Sequence, residues 1–220
     1  MSTDLNQMRD LLASLEPGCN SGELSRYKAA LDYSREMYAN GLARYLENVE
    51  QIDFRGGRAL DVGCGAGHWC LALAQHNDEV VGLDANEEYV AISRFVARNF
   101  ANGHRLHLFT GMAEQIPYPD NHFDYLVCHG VLMFTEHELA LNEFRRVLKP
   151  NGRMYLGYSG LGWYLRYLIE DGIVNGNDSR LRKGAAVLSA SFKFAAGFRT
   201  SGELWLSLPP ETLNQLTQSA

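Results

Sequence analysis

The residues with the clearest chemical potential lie in a glycine-rich stretch that follows a short apolar run. Asp61 stands near the end of that run, and Gly63, Gly65 and Gly67 follow it at every second position. Glycine permits a sharp turn and lets a ligand lie against the backbone. The N–H groups at the start of the next helix are available to face that ligand. The stretch therefore predicts a buried strand, a tight turn and a helix start around a ligand site.

A dinucleotide is one candidate ligand for this turn, but the spacing disfavours it. The dinucleotide fingerprint is G-x-G-x-x-G, with the pyrophosphate at the helix N-terminus. Here Gly67 comes one residue early, and His68 occupies the position of the third glycine. The carboxylate of Asp61 also repels a pyrophosphate and suits a ligand that carries an amino group. A nicotinamide-dependent oxidoreductase is therefore disfavoured, and a purely structural turn stays open as an alternative.

A second acid follows at a distance that fits ribose recognition. Asp84 lies 17 residues after Gly67, at the end of a short apolar stretch. A carboxylate at the end of the second strand of a nucleotide-binding sheet accepts hydrogen bonds from ribose hydroxyls. The alternative is a capping role, because either Asp84 or Asn86 would serve as the cap of the next helix.

Strands and helices alternate along the middle of the chain. Strands are predicted over residues 58–62, 79–84, 106–110, 123–128 and 153–158, and helices over about 68–75, 87–100 and 136–148. Alternation at these lengths predicts an α/β fold with a doubly wound, mostly parallel sheet and helices on both faces. Ligands bind such sheets at the carboxyl ends of the strands, where Asp61 and Asp84 fall. An amphipathic helical stripe over 23–52, broken at Asn40–Gly41, precedes the sheet.

Further segments carry a family resemblance when they are taken with the glycine turn and Asp84. They are Gly-Met-Ala-Glu-Gln-Ile-Pro-Tyr-Pro-Asp-Asn-His-Phe-Asp over 111–124 and Phe-Arg-Arg-Val-Leu-Lys-Pro-Asn-Gly over 144–152. In order and spacing they resemble the class I S-adenosylmethionine-dependent methyltransferases, in the ubiquinone/menaquinone-biosynthesis-like (methyltransferase type 11) branch. The resemblance covers about residues 56–160. It implies a Rossmann-like fold, S-adenosylmethionine as cofactor, and in-line transfer of a methyl group to a small-molecule acceptor.

The resemblance also implies a set of site residues. The expected cofactor-binding residues are Asp61, Gly63, Cys64, Gly65, Asp84, Ala85, Met112, Ala113, Cys128, His129 and Tyr27. Either Tyr27 or Tyr38 is expected to cover the methionine end of the cofactor, with simple packing as the alternative. His129 is the candidate general base. No metal site is predicted, and His68 is expected to lie at the surface or in a loop.

Met112 and Asn151 depart from the family pattern. Met112 stands where the family usually has an acid beside the adenine, and Asn151 replaces a glycine. A thioether still packs against an adenine face. The hydrogen bond to the exocyclic amine would then come from Glu114 or from a backbone carbonyl. Asn tolerates the left-handed backbone conformation that glycine adopts.

Three segments are predicted within one structural domain. Residues 1–55 form an N-terminal helical cap, 56–160 the S-adenosylmethionine-binding core, and 161–220 a helical substrate lid with the start of a final helix. Related chains continue past that helix with two further strands. We therefore expect either that the sequence is a truncated copy or that it lacks strands six and seven. In both cases the sheet should have about five parallel strands and one exposed edge.

Composition and charge bear on the alternative functions and on the cellular setting. The net charge of −6 over 220 residues disfavours a broad nucleic-acid surface. An RNA or protein methyltransferase, or a non-catalytic partner subunit that keeps the fold, are the alternative functions. The four cysteines lack the spacing of a metal site and predict a reduced, cytoplasmic setting. No segment has the length of a membrane span, and a homodimer is a possible assembly.

Overall fold

The computed structural model describes residues 28–39, 42–157 and 161–178, with the short stretches 181–182, 184–185 and 188–189. These residues divide into two compact units. The first comprises the described residues among 28–128 and 143–155, and the second those among 129–142 and 156–189. The three-segment division expected from the sequence (1–55, 56–160 and 161–220) stays a prediction.

The described residues include a five-stranded sheet. Its strands are β1 (Arg58–Val62), β2 (Glu79–Asp84), β3 (Leu106–Thr110), β4 (Phe123–His129) and β5 (Leu148–Gly157). Their order is β3-β2-β1-β4-β5. The strand β1 runs parallel to both β2 and β4, and β2 runs parallel to β3. The doubly wound α/β sheet predicted from the alternation of elements is confirmed.

The register of the sheet brings the predicted site residues together. Asp61 lies opposite Gly82 on one side and Val127 on the other. Asp84 pairs with Thr110 at the end of β3. Because parallel strands end at the same edge of a sheet, the glycine turn, Asp84 and the loop after β3 meet at one edge.

Helices connect and flank the strands. They are α1 (Lys28–Ala39), α2 (Leu42–Ile52), α3 (His68–Leu73), α4 (Glu87–Arg98), α5 (His137–Val147) and α6 (Leu161–Arg166), and a π-helical segment, Tyr167–Val174, continues α6. The predicted break at Asn40–Gly41 falls between α1 and α2, and these two residues lie outside the described part. The core of the first unit buries apolar side chains from α1 to α4 and from the sheet.

The last strand begins earlier than expected. The sequence predicts a turn at Pro150–Gly152 and a strand from Arg153, whereas β5 extends from Leu148 to Gly157. Asn151 adopts a left-handed conformation with φ of 67°. Asparagine tolerates that conformation, and the strand continues through this residue. The part of the chain from 190 onwards, where the expectation about strands six and seven falls, lies outside the described residues.

Candidate functional site

The glycine turn after β1 is held by the end of β2. The backbone N–H groups of Gly63 and Cys64 both donate to the carbonyl oxygen of Leu83, at 2.7 and 3.0 Å. Gly63 and Gly65 have φ of 74° and 53°, which disfavours any residue with a side chain. A Cβ atom at Gly65 would meet no atom within 4 Å. The turn therefore exposes backbone to open space, as a ligand cradle requires.

Asp84 is oriented toward this turn. Its Oδ2 accepts a hydrogen bond from the N–H of Gly65 at 2.9 Å, and its Oδ1 accepts one from the N–H of Asn86 at 2.8 Å. The cap of α4 is Asn86, whose side chain accepts from the N–H of Glu88. Because Asn86 fills the capping role, the alternative reading of Asp84 as the cap is wrong.

Asp61 is a buried acid with a thiol donor. Its exposure is 1%, and its Oδ2 accepts a hydrogen bond from Cys70 Sγ on α3 at 3.2 Å. The pKa of Asp61 is raised to about 7, and burial is the largest cause. The hydrogen bond from Cys70 lowers this pKa, and the negative charge of Asp84 raises it further. A group cationic at neutral pH would stabilise the ionised form of this carboxylate.

The loop after β3 is joined to the Asp84 end of β2. The N–H of Gly111 donates to the backbone oxygen of Asp84 at 3.0 Å. Met112 is 56% exposed, whereas Ala113 is buried at 7%. An exposed Met112 side chain is available to pack against a flat apolar ligand.

Arg146 on α5 fixes the remainder of that loop. All of its N–H donors are used, on the backbone oxygens of Ile116 and Tyr118 and on the carboxylates of Glu143 and Asp120. Glu143 also accepts from the N–H of Ile116 at 2.8 Å. The sequence placed Arg146 in a family motif, but nothing in its spacing indicated that it holds the loop.

The structure contradicts the predicted surface position of His68. It is 7% exposed, and its ring lies 3.8 Å from that of Tyr38 and 5.2 Å from that of Tyr45, measured between centroids. Burial lowers its pKa to about 4, so the imidazole is neutral at pH 7. The sequence prediction was wrong because α1 and α2 pack over the first turn of α3, and their tyrosines cover it.

Tyr38 also binds the glycine turn directly. Its hydroxyl donates to the carbonyl oxygen of Ala66 at 2.7 Å. The hydroxyl thereby ties α1 to the segment that precedes α3. Tyr27, the other candidate for the methionine end of a cofactor, lies outside the described residues, and a role for either tyrosine at that position stays a prediction.

The other predicted site residues fall in different surroundings. Cys128 is buried at the end of β4, and Ala85 is exposed just after β2. His129 is exposed and belongs to the second unit. Within that unit the N–H of Gly130 donates to the carbonyl oxygen of Gly157 at 2.7 Å. A Cβ atom at Gly157 would overlap the His129 imidazole, so glycine there makes room for the ring.

The described residues contain neither a metal-binding cluster nor a membrane-spanning helix. No group of three or more His, Cys, Asp and Glu side chains among them is arranged to hold a metal ion. Of the helices described, none has the length and apolar character needed to cross a membrane.

Among the known proteins that resemble this chain are methyltransferases. Residues 60–156 match the family model described as a methyltransferase domain. The demethylmenaquinone methyltransferase of Geobacillus kaustophilus is 38% identical over 136 residues, which are 57% of this chain and 57% of that protein. The enzyme of the same name from Staphylococcus carnosus is 36% identical over 102 residues, which are 44% of this chain and 41% of that protein.

A solved structure supports the fold. The crystal structure of the YcgJ protein of Bacillus subtilis superimposes with a TM-score of 0.52 at 23% identity, covering 65% of this chain and 78% of that one. The chain spans about half the length of the curated relatives described above. Residues 60–156 of this chain are thus similar to that methyltransferase domain.

Proposed function

We propose that the chain is an S-adenosylmethionine-dependent methyltransferase that acts on a small-molecule acceptor. The observation that carries the proposal is the joint position of Asp84 and the glycine turn, with open space against Gly65. The cofactor, when bound, supplies an activated methyl group on a sulfonium. The match of residues 60–156 to the methyltransferase domain model supports the same activity.

Each residue of the site is suited to a different part of the cofactor. Asp84 is a carboxylate at the end of β2, suited to ribose hydroxyls. Asp61 is a buried carboxylate, suited to an ammonium group, and burial of such a pair strengthens its attraction. Met112 and Ala113 follow β3 and offer apolar surface to adenine. The remaining proposed cofactor-binding residues are Gly63, Cys64, Gly65, Ala85, Cys128, His129 and Tyr27.

The acceptor class follows from the named relatives. Two of them are demethylmenaquinone methyltransferases, so we infer that a quinone-like small molecule is the acceptor. The net charge of −6 disfavours RNA. His129 is the candidate general base for an acceptor that loses a proton. A reducing, cytoplasmic setting and a homodimer stay predictions.

Calorimetric titration with S-adenosylhomocysteine tests the proposal. We expect one site per chain with micromolar affinity, of the order of −8 kcal/mol. Absence of binding would favour the non-catalytic partner role. A second assay follows transfer of a labelled methyl group from S-adenosylmethionine to demethylmenaquinone, with bulk RNA and a lysine- and arginine-rich protein as comparison acceptors. Transfer to either comparison acceptor alone would contradict the small-molecule assignment.

A further inference from the structure

Asp61 and Cys70 form a buried pair that no family motif predicts. Cys70 lies on α3, nine residues after Asp61, and neither side chain has more than 1% exposure. The Sγ atom lies 3.2 Å from Asp61 Oδ2. Burial raises the pKa of Cys70 well above its ordinary value, so the thiol keeps its proton at neutral pH and acts as the donor.

The neighbouring strand leaves room for this contact. Gly82 lies opposite Asp61 in the sheet. A Cβ atom at Gly82 would lie 2.6 Å from Cys70 Sγ and 3.2 Å from Cys64 Cβ. Atoms at that separation overlap, and a larger residue would force the thiol away. Glycine at position 82 is therefore a condition for the hydrogen bond between Cys70 and Asp61.

We propose that Cys70 is a positioning residue: its thiol orients the Asp61 carboxylate and favours its ionised form, so that Asp61 is ready to receive the ammonium group of the methyl donor. This inference rests on the proposed function. A hydrogen bond to a carboxylate stabilises the charged form relative to the neutral one. Both the side chain and the backbone of Cys70 lower the pKa of Asp61 through hydrogen bonds, and the side-chain contribution is the larger.

The other groups that face Asp61 do not substitute for Cys70. They are Cys64 in the turn, Asp84 at the end of β2 and Tyr45 on α2. On the β4 side, the residue opposite Asp61 is the apolar Val127. Asp84 disfavours the ionised form of Asp61 by like charge. Cys64 and Tyr45 have raised pKa values and stay neutral at pH 7, and neither a thiol nor a phenol carries a positive charge in any state. Cys70 therefore supplies the compensating interaction.

The test compares Cys70→Ala, which removes the side-chain donor and keeps the backbone one, with Cys70→Ser, which keeps a side-chain donor. The first measurement is ligand-free: the carboxyl carbon of Asp61 is titrated by NMR in protein labelled at aspartate. We expect the pKa of Asp61 to rise by about one unit in Cys70→Ala and to stay near about 7 in Cys70→Ser. Val80→Ala, a buried truncation on β2, is the control for lost packing.

The second measurement is the affinity for S-adenosylhomocysteine as a function of pH. A one-unit rise predicts about fivefold weaker binding of Cys70→Ala at pH 7 and less than about twofold at pH 8.5. Cys70→Ser should bind like the parent at both. An unchanged Asp61 titration in Cys70→Ala, or equal losses in both variants, would overturn the positioning role. Failure of the parent chain to bind at any pH would instead overturn the proposed function, while the NMR titration would still report on Cys70.

Discussion

The carboxylate of Asp84 accepts a hydrogen bond from the backbone N–H of Gly65 at 2.9 Å, across the end of two parallel strands. This bond joins the two residues that the sequence singled out for ligand chemistry. The other carboxylate oxygen accepts from Asn86. Asp84 therefore shapes the glycine turn as well as presenting an acid at its edge.

Replacement of Asp84 tests its contribution to cofactor binding. We expect Asp84→Ala to weaken S-adenosylhomocysteine binding by at least about tenfold, since hydrogen bonds to charged groups contribute about 1.5–3 kcal/mol each. Asp84→Asn keeps acceptor capacity through one oxygen and should lose less. The measurement is calorimetric titration. Asp78→Asn, at the exposed opposite end of β2, is the control, and equal affinity of parent and Asp84→Ala would remove the ribose assignment.

Asp61 predicts a specific pH dependence of stability. Its folded pKa of about 7 lies above the ordinary 3.8, so the folded protein binds this proton more tightly than the unfolded chain. Stability contributed by the protonated acid is complete below about pH 4 and is lost as the pH rises through about 7. Urea unfolding of parent and Asp61→Asn should show the parent losing about 2–4 kcal/mol relative to the variant across that interval. A constant difference would contradict a raised pKa.

The lowered pKa of His68 predicts that stability falls, rather than rises, as the pH is lowered. Burial lowers its pKa to about 4 from 6.5, so the unfolded chain binds the proton more tightly than the folded protein. Stability from the neutral imidazole is complete above about pH 6.5 and is lost as the pH falls to about 4. His68→Phe should therefore gain on the order of 2–3 kcal/mol relative to the parent as the pH falls. The exposed His104→Phe is the matched control, and parallel pH profiles for His68→Phe and the parent would refute the assignment.

Arg146 should resist even conservative replacement. Lysine cannot reproduce a planar set of donors directed at two backbone oxygens and two carboxylates. We expect Arg146→Lys to lower the free energy of unfolding by about 1–3 kcal/mol. It should also weaken cofactor binding, because the loop that contains Met112 and Ala113 loses its anchor. The neighbouring, exposed Arg145→Lys should leave both unchanged, and an equal effect of the two changes would contradict the anchoring role.

The hydroxyl of Tyr38 provides a smaller, separate test. Tyr38→Phe keeps the ring against His68 and removes only the hydrogen bond to the Ala66 carbonyl. Loss of one neutral hydrogen bond with a buried acceptor predicts a decrease in stability of about 1–2 kcal/mol. Tyr33→Phe on the same helix, at a site 52% exposed, should change thermal unfolding little. If the two variants unfold alike, the Tyr38 bond contributes nothing measurable.

Local signals were sufficient for the strands. The predicted bounds of β1, β2 and β3 agree with the structure because each is a short apolar run between polar or glycine-rich segments. The start of the last strand was harder to predict, because Pro150 and Asn151 are residues typical of turns and yet lie within β5. Local composition does not show whether a segment of turn-like composition pairs with a neighbouring strand.

By itself, the sequence determined the sheet, the glycine turn and the two acids near the ends of β1 and β2, because periodicity and glycine spacing are properties of consecutive residues. Only the tertiary structure decided that Cys70 donates to Asp61, that His68 is buried under Tyr38 and Tyr45, and that Arg146 holds a loop about 30 residues earlier. Each of these contacts joins elements that are distant in the chain, and which side chain covers which depends on how helices pack on the sheet. Burial then sets the protonation of Asp61 and His68, and burial is a property of the packed molecule.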